Sequence, residues 1–337
     1  MNADKMNRIA AAIDREYDLK RQDAARLLYQ RKQEVFEKVP GYRELSEKVP
    51  SNAVKLLSQI LDEEKGDIDR SQIKSRLNAL SVKEEKRSLL TQYGYPEDYL
   101  DPQYECSLCK DTGYVRDESG LLKERCRCFR SRLSHMLAQD SGLMELLSTE
   151  NFDNLKEDYY EGEDLNNFKR AERAVREFAK EGDYRNFFFY GNIGTGKSFL
   201  SCCAAKELLD RGYEVLYYSA STLFDMLAAV RQRSGRDDAF EDQGMDRVIY
   251  ECDLLILDDL GTEWFNSFVF SQLFSLINER IINKRSTIIS TNLTLKDLSD
   301  IYSERLLSRI SENYMLCKLT GSDIRMEKVR RGYSTTP

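Results

Sequence analysis

The sequence predicts an α/β protein: a parallel sheet flanked by helices, preceded by a helical N-terminal domain with a small zinc-binding segment. Three observations carry that prediction. Residues 191 to 198 read Gly-Asn-Ile-Gly-Thr-Gly-Lys-Ser and follow the apolar run Phe187 to Tyr190. Beyond them, short hydrophobic runs alternate with helical patterns, as strands joined by crossover helices do. Upstream, Cys106, Cys109, Cys126 and Cys128 form two close pairs, a spacing that suits a tetrahedral thiolate site.

At 337 residues with 41% hydrophobic content the chain has material for two domains, each with a core. A net charge of -7 argues against a wholesale polyanion coat, although 51 Lys and Arg leave room for a local basic groove. No apolar run approaches the roughly 20 residues of a membrane span, and Met1 to Asp18 mixes charge and polarity throughout. A cytoplasmic protein with no membrane partner is expected. His135 is the only histidine, which removes most catalysis built on imidazole; it reads as a surface residue rather than a metal ligand.

From Met6 to Val39 apolar residues recur at helical spacing until Pro40-Gly41, predicting one long helix or two. Further helices are expected over Ala53 to Glu64 and Ser71 to Tyr93. Residues 1–100 are thus read as a helical N-terminal domain, with a partner protein as the best candidate for its exposed face. Residues 101–135 hold the cysteines, with Lys110 to Gly113 supplying a tight turn and Val115, Leu121 and Leu122 a hairpin. A structural zinc is expected there; unliganded thiols and an iron–sulfur cluster are the alternatives, although no redox partner motif accompanies the cysteines. Residues 136–180 read as a helical linker and 181–337 as the nucleotide-binding domain. Within it, strands are expected at Phe187 to Tyr190, Tyr213 to Tyr218, Leu254 to Leu257 and Thr287 to Ser290. Helices are expected at Phe199 to Leu209, Ser221 to Arg233, Ser267 to Asn283 and Tyr302 to Ser311, with a polar loop at Ser234 to Gly244. Cys202, Cys203, Cys252 and Cys317 fall in apolar patterns and read as buried filler.

The glycine-rich segment is a phosphate-binding loop. Backbone N–H groups from Gly191, Asn192, Ile193, Gly194, Thr195, Gly196, Lys197, Ser198 and Phe199 curl around phosphates. Lys197 reaches the β and γ phosphates, and the Ser198 hydroxyl is placed to ligate Mg²⁺. About sixty residues on, a hydrophobic strand ends in Asp258-Asp259. Asp258 is the candidate for the metal side and Asp259 for polarising the attacking water, because successive residues at a strand end point differently. Asn292 closes the next strand, where it can bond the γ-phosphate or the water. Arg305, Arg309 and Arg325 follow, able to neutralise charge on the transferred phosphoryl in cis or from a neighbour, or equally to be ordinary surface arginines.

At these residues a family resemblance becomes specific. GNIGTGKS, LLILDDLG, STN, ERLLSRI and GSDIR, in this order, resemble the AAA+ ATPase module of the DnaC/DnaI family of bacterial replicative helicase loaders, close to the IstB-type transposition ATPases. CSLCKDTGYV and CRC resemble the cysteine-rich segment of the DnaI-like members. The resemblance covers about Tyr104 to Arg331. It implies ATP, Mg²⁺ and Zn²⁺ as cofactors, Asn292 as first sensor, Arg309 as a finger acting on a neighbour's ATP, and Arg325 as second sensor. It further implies that Ser219 to Arg233 helps hold single-stranded DNA, with Phe224, Arg231 and Arg233 as contacts; amphipathic packing is the competing account of that helix. Most AAA+ enzymes carry Asp-Glu where this chain has Asp-Asp, and the shorter second acid suggests slow, switch-like turnover. The expected function is ATP-dependent loading of a hexameric replicative helicase onto single-stranded DNA, with self-association through the ATP sites. The rivals are an IstB-like partner of a transposase and a zinc-containing DNA-binding adaptor gated by ATP without turnover.

Overall fold

The computed structural model describes residues 3–47, 83–116, 122–233, 248–330 and 332. The helices expected at 53–64 and over the first part of 71–93, the loop at 234–244, and Leu121 lie outside these residues. The chain divides into two compact units, Arg15–Leu122 and Met1–Asp14 with Lys123–Pro337.

The N-terminal pattern forms a single helix, α1 (Ala3–Lys38), and α2 covers Lys83–Gln92. In the Arg15–Leu122 unit, Val35, Val39, Tyr42 and Leu90 form a small core. Glu34 accepts from the hydroxyls of Tyr99 at 2.8 Å and Tyr95 at 3.1 Å and pairs with Lys38 at 3.0 Å. Those donors, Tyr99 foremost, hold its carboxyl below the ordinary value.

Short strands β1 (Tyr114–Arg116) and β2 (Leu122–Arg125) precede α3 (Arg127–Asp140) and α4 (Leu143–Thr149) in the chain. Helix α5 (Gly162–Glu181) then leads into the main sheet. Its apolar residues fall on one face, so Phe168, Ala171, Val175 and Phe178 are buried, and Gly182 ends it in the left-handed conformation. Residues 136–180 therefore do not link: Ala138, Leu143, Leu147, Phe152, Phe168 and Val175 belong to the core of the sheet. The amphipathic pattern that looked like a connector is the face that packs.

The sheet contains β3 (Phe187–Gly191), β4 (Val215–Ser219), β5 (Leu254–Leu260), β6 (Ser286–Thr291) and β7 (Met315–Leu319), in the spatial order β4-β5-β6-β3-β7. Every pairing is parallel. Both faces are covered, which is why the strands read as continuous apolar runs rather than alternating ones. Helix α6 (Lys197–Asp210) lies against the sheet and buries Leu200, Cys202, Cys203, Ala204 and Ala205, small side chains that permit close approach. The edge strand β4 is closed off at Val215, whose carbonyl accepts from Ser134 Oγ at 2.6 Å and whose N–H donates to it at 2.9 Å.

Helices α7 (Ala220–Arg233) and α8 (Ser267–Ile282) follow their strands much as the pattern predicts. The helix expected from Tyr302 to Ser311 is α10 (Glu304–Asn313), preceded by an unanticipated helix, α9 (Leu295–Tyr302), from which Ser303 at φ 112° separates it. Strand β7 was not anticipated: only Cys317 and Leu319 of its five residues are buried, so it lacks an apolar run. A short helix, α11 (Ile324–Arg330), follows it. Cys202, Cys203, Cys252 and Cys317 are all buried, as filler should be. Among the described residues no helix is long and apolar enough to cross a membrane.

Candidate functional site

Strand order builds the site. Because β6 lies between β3 and β5, the phosphate loop after β3, the acids at the end of β5 and Asn292 after β6 meet at the carboxyl edge of the sheet.

The loop itself leaves no room for side chains at its glycines. A Cβ on Gly191 would lie 2.1 Å from the Leu319 carbonyl oxygen, and one on Gly194 would lie 2.1 Å from the Asp323 carboxylate. Gly196, at φ 86°, caps α6 and has the Tyr160 hydroxyl where its Cβ would go, at 2.5 Å. Thr195 Oγ1 donates to the Asn192 carbonyl at 2.8 Å, and the Ile324 N–H donates to the Gly194 carbonyl at 2.9 Å, so the loop is tied both to itself and to α11. Lys197, only 5% exposed, folds back to donate to the carbonyls of Asn192 at 2.5 Å and Gly191 at 3.1 Å. Burial lowers its ammonium from the ordinary lysine value, against the opposing pull of Asp259 and Asp258.

The two acids separate as their positions predict. Ser198 Oγ donates to Asp258 Oδ1 at 3.0 Å, so the two groups expected to share a magnesium ion are in contact. Tyr217 holds the other oxygen at 2.7 Å, and Ser290 Oγ also donates to Oδ1. Asp259 turns away, because the pairing of β5 with β6 is irregular between Leu257 and Leu260 and Asp259 itself adopts φ 55°. Its N–H donates to Ser290 Oγ at 3.0 Å and its Oδ1 accepts from Asn292 Nδ2 at 3.4 Å. Burial and the neighbouring Asp258 raise its carboxyl from the ordinary value, while Lys197 and Arg325 oppose them.

A cavity of about 470 Å³ joins these groups. Ile193 to Phe199, Asp259, Asn292 and Arg325 line it, as do Leu155, Tyr159, Tyr160, Phe168 and Ile324 together with Thr149, Glu150, Asn154, Lys156 and Lys328. The aromatic and apolar members form a wall suited to a nucleobase, with polar and charged side chains beside it. Tyr160 stacks on Phe168 at 4.1 Å between ring centroids and donates to the Thr195 carbonyl at 3.0 Å, fixing that wall to the phosphate loop. Sequence reasoning missed this wall because it lay in the presumed linker; the aromatic residues of 152–168 were its signal. Tyr217 and Ser290 were missed as well, since nothing local marks a strand hydroxyl that faces an acid 41 or 32 residues away.

The remaining candidates distribute as follows. Arg325 lines the cavity, whereas Arg309 does not; it is half exposed on α10 and pairs with Glu312 at 3.7 Å. Arg305 is exposed on the same helix. Phe224 is 3% exposed, so packing of α7 against the sheet withdraws it from any surface contact and corrects its reading as a DNA contact. Arg231 and Arg233 stand on the last turn of α7, and their side chains lie outside the described residues.

Around the first cysteine pair the backbone forms a tight knuckle. The Lys110 N–H donates to the Cys106 carbonyl at 2.8 Å, and Lys110 and Asp111 both take left-handed conformations. The buried Asp111 carboxylate accepts from the N–H groups of Glu105 and Cys106, each at 2.9 Å, a role its sequence position did not announce. Cys126 caps α3. Four cysteine thiols in two close pairs are the donor set of a tetrahedral structural zinc.

A parallel sheet with a phosphate loop, a paired acid at the adjoining strand end and an asparagine between them defines an ATP-binding module of the AAA+ P-loop fold. The model of the family described as "IstB-like ATP binding protein" matches residues 132–328, and the chain belongs to that family. It is similar to the replicative helicase loader DnaC of Escherichia coli (strain K12), at 28% identity over 170 residues, covering 50% of this chain and 66% of that protein. The chain thus spans a little under two thirds of that relative. It is also 30% identical over 151 residues to the putative insertion sequence ATP-binding protein y4pL of Sinorhizobium fredii (strain NBRC 101917 / NGR234), covering 43% of this chain and 59% of the other. Among solved structures, the crystal structure of the DnaC helicase loader matches with a TM-score of 0.44 at 23% identity, covering 52% of this chain and 98% of that one.

Proposed function

We propose that this chain is an ATP-hydrolysing loader that places a hexameric replicative helicase onto single-stranded DNA during replication initiation or restart. The observation that carries the reading is the meeting of Lys197, Ser198, Asp259, Asn292 and Arg325 in one cavity, with Asp258 in contact with Ser198 behind it, in a chain similar over half its length to a helicase loader. Loop amides and Lys197 bind the phosphates. Ser198 and Asp258 would hold a Mg²⁺, which would supply positive charge to offset that of the phosphates. Asp259 orients the attacking water and accepts its proton, and Asn292 keeps that carboxylate in place. The apolar wall of Tyr159, Tyr160 and Phe168 excludes water from the base side. Arg231 and Arg233 contact the DNA backbone, which makes binding salt-sensitive.

The similarity to an insertion sequence ATP-binding protein favours one second reading, a partner of a transposase. Pull-down from the native cell with mass spectrometry, paired with phosphate release in the presence and absence of single-stranded DNA, separates the two. A co-purified hexameric helicase and DNA-stimulated release are expected. Recovery of a transposase instead, or ATP bound without turnover under any condition, would overturn the loader. Lys197→Ala is expected to weaken ATP binding roughly 10- to 100-fold, the loss of one or two charge-assisted hydrogen bonds, and to abolish release while the fold persists. Unchanged ATP affinity in that variant would remove the phosphate role of the loop.

We also assign one structural zinc to Cys106, Cys109, Cys126 and Cys128, since four thiols complete a tetrahedral shell and leave no position for a reacting water. Metal analysis of the purified chain is expected to find one zinc. Cys106→Ser or Cys126→Ser should release it and leave ATP binding within about twofold. Iron, or no metal, in the wild-type chain would refute the assignment.

A further inference from the structure

We propose that Glu263, Tyr302 and Ser303 form a strap that fixes α10, the helix bearing Arg305 and Arg309, in register with Asp259; the proposal rests on the ATP-hydrolysis reading above. These are positioning residues, since none of them lines the nucleotide cavity.

The chain leaves β5 through a loop that is bonded at each step. Thr262 donates to the Asp259 carbonyl from its N–H at 3.3 Å and from Oγ1 at 2.9 Å. Glu263 has both carboxylate oxygens engaged: Oε2 accepts from the Gly261 N–H at 2.9 Å and Oε1 from the Tyr302 hydroxyl. Tyr302 is 1% exposed, and the Phe265 ring meets it edge-on at 5.1 Å between centroids. Asp259 and the α9–α10 joint are therefore connected through hydrogen bonds and packed rings. A shift of one moves the other.

The joint itself is under strain. Ser303 ends α9 and opens α10 at φ 112°, ψ 154°, a region that only glycine occupies readily, and its buried Oγ has no hydrogen-bond partner. Asp259, at the other end of the strap, also has a positive φ. A serine kept in such a conformation persists only where its surroundings over-determine it, and here the surroundings are the strap. Its consequence is a single placement of α10 for a given placement of Asp259.

Trp264 makes this testable. It is the only tryptophan, sits between Glu263 and Phe265, and is 89% exposed, so its emission follows the loop. With the full chain and single-stranded DNA, ATP is expected to change the emission of the wild type. Tyr302→Phe, which removes one hydroxyl, should abolish that change and lower kcat about tenfold with KM for ATP within twofold. Ser303→Gly should keep or raise Tm, because the strain is relieved, yet lower kcat several-fold at unchanged KM. A folding defect cannot imitate that combination. Wild-type kcat and emission change in Tyr302→Phe, or wild-type kcat in Ser303→Gly, would overturn the strap alone. A wild-type chain that binds but never hydrolyses ATP would overturn the hydrolysis reading and the strap with it.

Discussion

With Arg309 replaced by alanine, DNA-stimulated ATP hydrolysis is expected to fall roughly 10³- to 10⁵-fold, the range lost with a missing arginine finger, while the affinity of the isolated chain for ATP stays nearly unchanged. The expectation follows from where the guanidinium stands. Arg309 is half exposed on α10, pairs with Glu312 three residues on at 3.7 Å, and is not among the residues lining the cavity of its own chain. Arg325 is among them. A guanidinium outside its own cavity is placed to act on a neighbour's phosphate. Mixing supplies the test: Arg309→Ala and Lys197→Ala chains, each inactive alone, are combined in assemblies shown to be mixed. A finger in trans lets an intact pocket meet an intact arginine, and activity partly returns. Without recovery Arg309 works in cis or only structurally, and Arg305 becomes the better finger.

The second large effect is on stability and concerns Arg280. Its side chain is fully buried, and among the described residues it has no carboxylate partner. Instead it donates to the Thr287 hydroxyl at 3.0 Å and to the carbonyls of Ile249 at 2.7 Å, Cys252 at 3.1 Å and Ser286 at 2.5 Å. The guanidinium thereby ties residues 249–252, which lead into β5, to the start of β6. Arg280→Ala removes the donors, leaves several buried acceptors unpaired and opens a cavity, together about 4 kcal/mol or more. For a unit of this size that corresponds to a Tm lower by roughly 8 to 16 °C. Arg280→Lys should recover little, because three N–H groups on one nitrogen cannot cover acceptors arranged for a planar fork. A Tm within about 3 °C of wild type for Arg280→Ala would show that the neighbouring carbonyls find other donors.

Local chemistry was legible wherever a few consecutive residues suffice for it. The phosphate loop, the apolar strand ending in two acids, the paired cysteines and the alternation of strands with helices each depend on spacing and residue type. The sequence therefore determined the fold class, the candidate nucleotide ligands and the candidate zinc ligands. Tertiary structure decided what depends on residues far apart in the chain. The order β4-β5-β6-β3-β7 sets Asn292 against Asp259, and Tyr217 and Ser290 against Asp258. It also made residues 136–180 a wall of the site instead of a linker, because an amphipathic face looks the same whatever it packs against. Burial likewise withdrew Phe224, and a single strained residue, Ser303, set the start of α10 two residues later than the pattern predicts. Periodicity records which residues avoid water, and only the packed chain decides which surfaces remain to meet a ligand.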